Sequence, residues 1–238
     1  MTDIEAIFKE LIHQLSSCKV KYCVLRGYEN LPESFSNDID FGIHPKNKEQ
    51  FWDVLNNIHS EGNIYIKLVE TRYEVLKTKF VSNDTEVLID FWFDFNYMGL
   101  KYANIDAAVE TATFYNNFLV VNYRYEVEVS FLKELLHMNR IRPDKVQILQ
   151  KKISNVKKII FNEYYNKKYR CKFIEVIDNN SYELRTLSIS TIIYLVISNI
   201  KIHGLVFTFR SVFKSILYKY NRTLNPINKN FNNICIKY

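Results

Sequence analysis

The stretch NDIDFGI, residues 37–43, alternates acidic or small residues with the large apolar residues Ile39, Phe41 and Ile43. This period of two predicts a half-buried β-strand whose apolar face meets the core. Asp38 and Asp40 then project together from the other face. Two carboxylates held that close repel each other, so a divalent cation, basic neighbours or open water must offset the cost. The stretch therefore predicts both a strand and a candidate metal site.

A second strand candidate carries acids inside an apolar run, LIDFWFDF at residues 88–95. A lone carboxylate is costly to bury in such a run, so Asp90 needs a partner. We expect Asp90 to lie on a strand next to Asp38 and Asp40 and to share their cation. Asp94 is the alternative third acid, because it lies four residues on and so on the same face of the strand. Asp90 is preferred, since its apolar flanks place it deeper.

The turn that precedes the first acidic strand holds Arg26 and Gly27, directly after a short buried strand at residues 20–25. A glycine allows the backbone to approach a ligand closely, and a guanidinium suits phosphate oxygens. Three carboxylates around Mg²⁺ leave coordination positions for triphosphate oxygens and for an attacking hydroxyl. These parts together predict a site for phosphoryl or nucleotidyl transfer.

The order of predicted elements indicates an α+β fold with a sheet flanked by helices. A helix follows Asp3, the two strands come next, and a second helix begins near Pro45. Three strand candidates follow at residues 63–69, 73–81 and 85–95, with Asn83-Asp84 as a hairpin turn between the last two. From about residue 126 the pattern becomes helical, with helices expected near 127–138, 142–160, 186–200 and 204–220. We therefore expect an α+β domain at residues 1–125 and a basic helical domain at residues 126–238.

Charge is divided unevenly between the two parts. Residues 1–138 hold 13 Lys and Arg against 21 Asp and Glu, whereas residues 139–238 hold 19 against 5. A basic second part suits an anionic partner such as a nucleotide, a polyanionic glycan, a nucleic acid or a membrane, or is simply a solvated helical face. The 4 cysteines have no paired spacing, which argues against a zinc site or a disulfide framework. The acidic N-terminus lacks the pattern of a secretory signal, and we expect a cytoplasmic location.

Residues 187–220 form an apolar and then basic amphipathic segment. Its uncharged part, residues 187–200, is shorter than the roughly 20 residues that a spanning helix needs. Residues 205–217 add Arg210 and Lys214 beside several phenylalanines, a pattern typical of a helix that lies on an anionic membrane. Core packing of a helical subdomain explains the same residues. We expect core packing and keep peripheral membrane contact as the alternative.

A glycine turn after the first strand, an Asp-x-Asp strand and a single acid on a later strand resemble the nucleotidyltransferase superfamily, the fold of DNA polymerase β and of aminoglycoside nucleotidyltransferases. The segment LRGYENLP at residues 25–32, with Asp38, Asp40, Asp90 and a following Gly99, is more closely similar to bacterial nucleotidyltransferase-like proteins of surface-polysaccharide loci. Some of these carry a fused thymidylate-kinase-like domain. The resemblance covers about residues 5–145, and the sequence contains no G-x-x-x-x-G-K-[ST] motif of the kinase module.

The resemblance implies a nucleotidyltransferase-like mixed sheet with a metal site for Mg²⁺ or Mn²⁺. Asp38, Asp40 and Asp90 would bind the metal, with Asp90 completing the site or activating the acceptor hydroxyl. Arg26 and Gly27 would meet the triphosphate. The residue after this glycine is usually small, and the chain departs from the family pattern here because it has a tyrosine.

Four further residues are candidates for binding the nucleotide: Tyr28, which follows the turn glycine, and Lys67, Arg72 and Lys133, whose side chains could reach a nucleotide or its phosphates. These three basic residues are of types more often found as solvated surface residues.

The predicted function is a Mg²⁺-dependent nucleotidyltransferase that moves a nucleoside monophosphate from an NTP to a hydroxyl of a small molecule, sugar or glycan precursor in surface-polysaccharide biosynthesis. The alternative is an inactive nucleotidyltransferase-like subunit that docks on a glycan, a lipid carrier or a protein. Nucleic-acid modification ranks last, because the sequence contains no recognisable nucleic-acid-binding module.

Overall fold

The computed structural model describes residues 3–34, 38–71, 74–134, 136, 146–147 and 189–224, with the side chains of 189–191, 194 and 218–224 left out. The chain divides into two compact units. The first is built from residues 1–94, 105–122 and 220–238, and the second from residues 95–104 and 123–219. The domain boundary expected near residue 125 stays a prediction.

The first unit contains three helices and seven strands among its described residues. The helices are α1 (Asp3–Ser17), α2 (Lys48–Ser60), which follows a 3₁₀ turn at Pro45–Asn47, and α3 (Ile105–Glu110). The strands are β1 (Tyr22–Arg26), β2 (Ile39–Ile43), β3 (Tyr65–Thr71), β4 (Val75–Ser82), β5 (Thr85–Trp92), β8 (Thr113–Tyr115) and β9 (Phe118–Val120).

These strands form one mixed sheet in the order β3-β4-β5-β2-β1-β9-β8. The pairs β2 with β5 and β1 with β9 are parallel, and the other pairs are antiparallel. The hairpin between β4 and β5 turns at Asn83, whose φ of 52° suits asparagine in a tight turn. Because the chain passes from β2 through β3 and β4 before β5 returns beside β2, the sheet centre is assembled from residues far apart in sequence.

The two faces of this sheet differ in chemistry. Alternate residues of β2 and β5, among them Phe41, Ile89 and Phe91, enter one apolar core with α1 and α2. The intervening residues, which include Asp40 and Asp90, therefore project from the opposite face. We call this opposite face the acidic face of the sheet. Its position follows directly from the period-two pattern of the two strands.

The second unit contains a small hairpin and three described helices. The hairpin is formed by β6 (Phe95–Tyr97) and β7 (Leu100–Ala103), and the helices are α4 (Tyr123–Lys133), α5 (Ile189–His203) and α6 (Leu205–Leu224). The amide of Asn199 on α5 pairs with β7 as a strand would, because it accepts from the Lys101 N–H and donates to the Lys101 carbonyl oxygen, each at 2.9 Å. The turn between β6 and β7 packs against α6 so closely that a Cβ on Gly99 would lie 2.5 Å from the Ser211 carbonyl oxygen.

The α+β class, the mixed sheet flanked by helices and the C-terminal helical part are confirmed. Helix α3 and the β8–β9 hairpin were not predicted from the sequence, although the pair Asn116-Asn117, both with positive φ, forms the turn of this hairpin. The helix expected at 142–160 lies outside the described residues, except for the helical pair 146–147. The expectation that Asp94 lies on the same strand face as Asp90 is wrong, because β5 ends at Trp92.

The expectation of core packing is wrong for most of the large apolar side chains of α6. Val206, Phe209, Phe213 and Ile216 are all exposed, and among the side chains described on this helix those of Thr208 and Ser211 are buried. None of the helices in the described ranges is long and apolar enough to cross a membrane.

Candidate metal and nucleotide site

The acidic face brings three carboxylates together near the start of β2. Asp40 lies directly opposite Asp90, because β2 and β5 are parallel with these two residues in register. Asp38 lies just before β2, and the ligand oxygens of the three residues all lie within 4.8 Å of one another. Two oxygens in one Mg²⁺ shell lie about 3–4 Å apart, since each is about 2.1 Å from the ion. The donor set therefore fits a hard divalent cation.

Asp40 is buried, and its hydrogen-bond partners include Arg26 and Trp92. The Arg26 guanidinium Nε donates to Asp40 Oδ2, and the two residues lie opposite each other on antiparallel strands. The Trp92 indole Nε1 donates to Asp40 Oδ1 at 2.7 Å. Since Arg26 is charged and about a quarter exposed, it balances the Asp40 charge while it remains open to the solvent.

Asp90 is only 4% exposed and pairs with a lysine that the sequence analysis missed. Lys77 lies opposite Asp90 on β4, and its Nζ donates to Asp90 Oδ2 at 2.8 Å. Burial raises the pKa of Asp90, Lys77 lowers it, and the neighbouring carboxylates Asp40 and Asp38 raise it further, with a net upward shift. Burial and like charge therefore outweigh the ion pair, and a cation at this place would relieve both.

The charges of the site do not cancel. Three aspartates and the two cations Arg26 and Lys77 leave a formal charge of −1 when all are ionised. Asp38 is the most accessible of the three acids, being half-buried while the other two are buried. An incoming cation would therefore meet Asp38 first.

In the turn after β1, the glycine has open space around its Cα, whereas the side chain of the next residue is packed against a neighbour. Gly27 has a φ of 68°, which favours glycine, and a Cβ on it would have no neighbour within 4 Å. The Tyr28 ring packs edge-on against Tyr115 of the β8–β9 hairpin at 5.3 Å, and the Tyr115 hydroxyl donates to the Glu29 carbonyl oxygen. The tyrosine at the place of a small residue thus anchors the turn to β8.

The remaining sequence candidates are not part of the carboxylate cluster. Lys67 is an exposed residue of β3, in register with Lys79 of β4, and Asp94 lies beyond the end of β5. Lys133 lies on α4, in the second unit, and Arg72 lies outside the described residues.

Two residues of the site escaped the sequence analysis, Lys77 and Trp92. For Lys77 a signal exists, because a two-residue turn at Asn83-Asp84 fixes the hairpin register and sets residue 77 opposite residue 90. For Trp92 the signal is weaker. Trp92 shares a face with Asp90, but its hydrogen bond to Asp40 joins β5 to the parallel strand β2. This bond could be predicted only by knowing the order of the strands in the sheet.

Comparison with known proteins gives fold-level similarities of low identity. No protein-family model matches the chain, and no curated protein does. Among solved structures, the chain is similar to JHP933 from Helicobacter pylori, with 11% identity, a TM-score of 0.36 and coverage of 94% of this chain and 96% of that one. A candidate nucleotidyltransferase from H. pylori gives 10% identity, a TM-score of 0.39 and the same coverages. The polymerase core of TRAMP, an RNA surveillance complex, gives 10% identity and a TM-score of 0.28 over 81% of this chain and 56% of that one.

Proposed function

We propose that this protein is a Mg²⁺-dependent nucleotidyltransferase that transfers a nucleoside monophosphate from an NTP to a hydroxyl acceptor. One observation carries the proposal: the carboxylates of Asp38, Asp40 and Asp90 converge on the acidic face of the sheet. Such a cluster is costly unless a cation or a bound ligand offsets the repulsion. In-line phosphoryl chemistry requires this kind of site.

The proposed reaction uses the acids in different roles. Asp38, Asp40 and Asp90 would hold Mg²⁺ or Mn²⁺, which would supply charge neutralisation for the triphosphate. The acceptor oxygen attacks the α-phosphorus, the bond from that phosphorus to the bridging oxygen breaks, and pyrophosphate leaves. Asp90 would either complete this metal site or, when it is not a metal ligand, accept the hydroxyl proton. Burial and the neighbouring carboxylates raise its pKa in the absence of a cation, which suits the second role.

The basic residues of the site are proposed to bind the triphosphate. Arg26 pairs with Asp40, and a cation at Asp40 would free its guanidinium to hold phosphate oxygens. The open backbone at Gly27 allows close approach, and Tyr28 would line the same turn. Lys67 is proposed as an additional phosphate contact, and Lys133, which belongs to the second unit, stays a prediction from the sequence.

The acceptor is proposed to be a hydroxyl of a small molecule, sugar or glycan precursor, in surface-polysaccharide biosynthesis. The support is the resemblance of residues 25–32, with the three acids, to proteins of surface-polysaccharide loci.

A specific observation favours a second candidate, an inactive binding subunit that docks on a glycan, a lipid carrier or a protein. Arg26 and Lys77 already pair with Asp40 and Asp90, so two of the three acids have a cationic partner without any metal. A protein that has lost catalysis could retain its fold in this way.

The experiment that tests the catalytic proposal measures NTP binding by calorimetry with and without MgCl₂, and pyrophosphate release with candidate sugar acceptors. Asp38→Asn is the best variant, because Asp38 is the most exposed of the three acids and its loss should leave the fold intact. We expect Mg²⁺-dependent binding to weaken about tenfold or more. Asp84→Asn, an exposed turn residue, is the matched control and should bind as the wild type does.

The outcomes separate the two candidates. If the wild type shows no Mg²⁺-dependent NTP binding, the catalytic proposal is wrong. If it binds NTP and Mg²⁺ but releases no pyrophosphate with any acceptor, the inactive subunit is favoured. A large loss of thermal stability in Asp38→Asn would show that this acid is structural.

A further inference from the structure

Helix α6 is amphipathic, but its large apolar residues are exposed and its small polar residues are buried. Four of its exposed large residues, Val206, Phe209, Phe213 and Ile216, recur at spacings of three and four and so share one face. Val206 is 81% exposed, Phe209 64% and Phe213 61%. We call these four residues the apolar face of α6.

The opposite side of α6 is the side that packs. Thr208 and Ser211 are buried, and the backbone at Ser211 is the surface that Gly99 of the β6–β7 turn contacts. The Thr208 hydroxyl donates to the Gly204 carbonyl oxygen at 2.9 Å, so this polar group needs no water. The helix is therefore held by its small polar side, and its large apolar side points outward.

Basic residues border the apolar face. Arg210 and Lys214, four residues apart and both exposed, follow Phe209 and Phe213 around the helix. Residues 184–238 contain eight Lys and Arg and no Asp or Glu. Helix α5, just before, adds the exposed Ile193 and Ile197 and the exposed Lys201.

We propose that the apolar face of α6 inserts into the surface of a membrane rich in anionic lipid. An apolar stripe beside basic residues is the pattern of a helix that lies in the interface, where the stripe enters the acyl boundary and the cations meet anionic headgroups. A two-fold contact between copies of this chain fits less well, since it would bring the equivalents of Arg210 and Lys214 toward each other. The proposal is independent of the nucleotidyl-transfer proposal.

The test is flotation of the 238-residue chain with lipid vesicles, in the absence of nucleotide and metal. One set contains phosphatidylcholine alone, and the other also contains about 30% phosphatidylglycerol. The wild type is expected to float with the anionic set, to remain largely unbound with the neutral set, and to dissociate as NaCl is raised.

Two variants test the two parts of the surface. F209S/F213S is expected to lower the partition coefficient about tenfold or more with an unchanged Tm, because both side chains are already in water. R210Q/K214Q is expected to lower the partition coefficient roughly fivefold for each positive charge removed. Phe114→Ser is the matched control: its side chain is 80% exposed on β8, away from this helix in the chain, and binding should not change.

Three results would overturn the proposal. The first is a wild type that does not float with anionic vesicles. The second is a large fall in Tm for F209S/F213S, which would mean that the chain itself packs on this face. The third is a wild-type dimer, seen by light scattering, that the same double variant converts to monomer without any vesicle binding. Because no nucleotide is present, none of these results bears on the catalytic proposal.

Discussion

The ion pair between Lys77 and Asp90 gives the sharpest prediction about the energetics of the site. Lys77→Met keeps most of the side-chain volume but removes the charge that lies 2.8 Å from a carboxylate only 4% exposed. A hydrogen bond to a charged group contributes about 1.5–3 kcal/mol to stability. The Lys77 side chain is 33% exposed, so water screens part of this. We expect the free energy of unfolding to fall by about 1–2 kcal/mol at neutral pH.

The loss of stability in Lys77→Met should depend on pH, and the direction of this dependence follows from the raised pKa of Asp90. Its folded-state pKa lies above the ordinary value of 3.8, so the native state holds the proton more tightly than the unfolded state. The free energy of unfolding therefore falls as the pH rises through the interval between the unfolded-state and folded-state pKa values of Asp90. Without Lys77 the folded-state pKa rises further, so this interval reaches higher pH. The penalty of the variant should shrink as the pH is lowered from neutral toward the ordinary pKa of an aspartate.

The assay is urea unfolding of wild type and variant across this pH range. Lys79→Met is the matched control, because Lys79 lies on the same strand and face but pairs with an exposed Glu86. Its loss should stay below about 0.5 kcal/mol and show little pH dependence. If Lys77→Met costs no more than Lys79→Met, or if its cost does not change with pH, the reasoning about Asp90 is refuted. MgCl₂ should restore stability to Lys77→Met more than to wild type if a cation binds Asp90.

Two further predictions concern a reporter and a backbone contact. In Trp52→Phe the remaining Trp92, whose indole donates to a site carboxylate, should change its fluorescence on titration with Mn²⁺, and an unchanged spectrum would argue against metal binding at this cluster. Gly99→Ala should destabilise the protein more than Gly62→Ala in urea unfolding. Both glycines have positive φ, which costs about 1–2 kcal/mol for alanine. At Gly99, unlike Gly62, a Cβ would also overlap the backbone of Ser211, which costs about 1–3 kcal/mol more. Equal losses of stability in the two variants would contradict this contact.

The periodic patterns of this sequence determined much of the fold. The alternation at residues 39–43 determined that Asp40 and Phe41 lie on opposite faces, because successive side chains of a strand always do. The turn residues Asn83-Asp84 determined a hairpin and, with it, the register that sets Lys77 beside Asp90. These are local rules, and they hold without knowledge of the rest of the chain.

Sequence periodicity also has a limit, which helix α6 illustrates. An apolar stripe at helical spacing predicts a buried face, but Phe209 and Phe213 are exposed while Ser211 is buried. The apolar stripe predicts only that one face of the helix is apolar. The face that the protein buries depends on the close approach allowed at Gly99, which lies more than a hundred residues earlier in the chain.

The sequence by itself determined the three acids, the strands that carry Asp40 and Asp90, and the α+β class. Only the tertiary structure decided which strands became neighbours. Pairing β5 parallel to β2 brings Asp90 opposite Asp40 across about fifty residues of chain, and the same pairing lets Trp92 reach Asp40. Strand order is set by how the whole sheet buries its apolar face against α1 and α2, which is a property of the complete core and of no single segment.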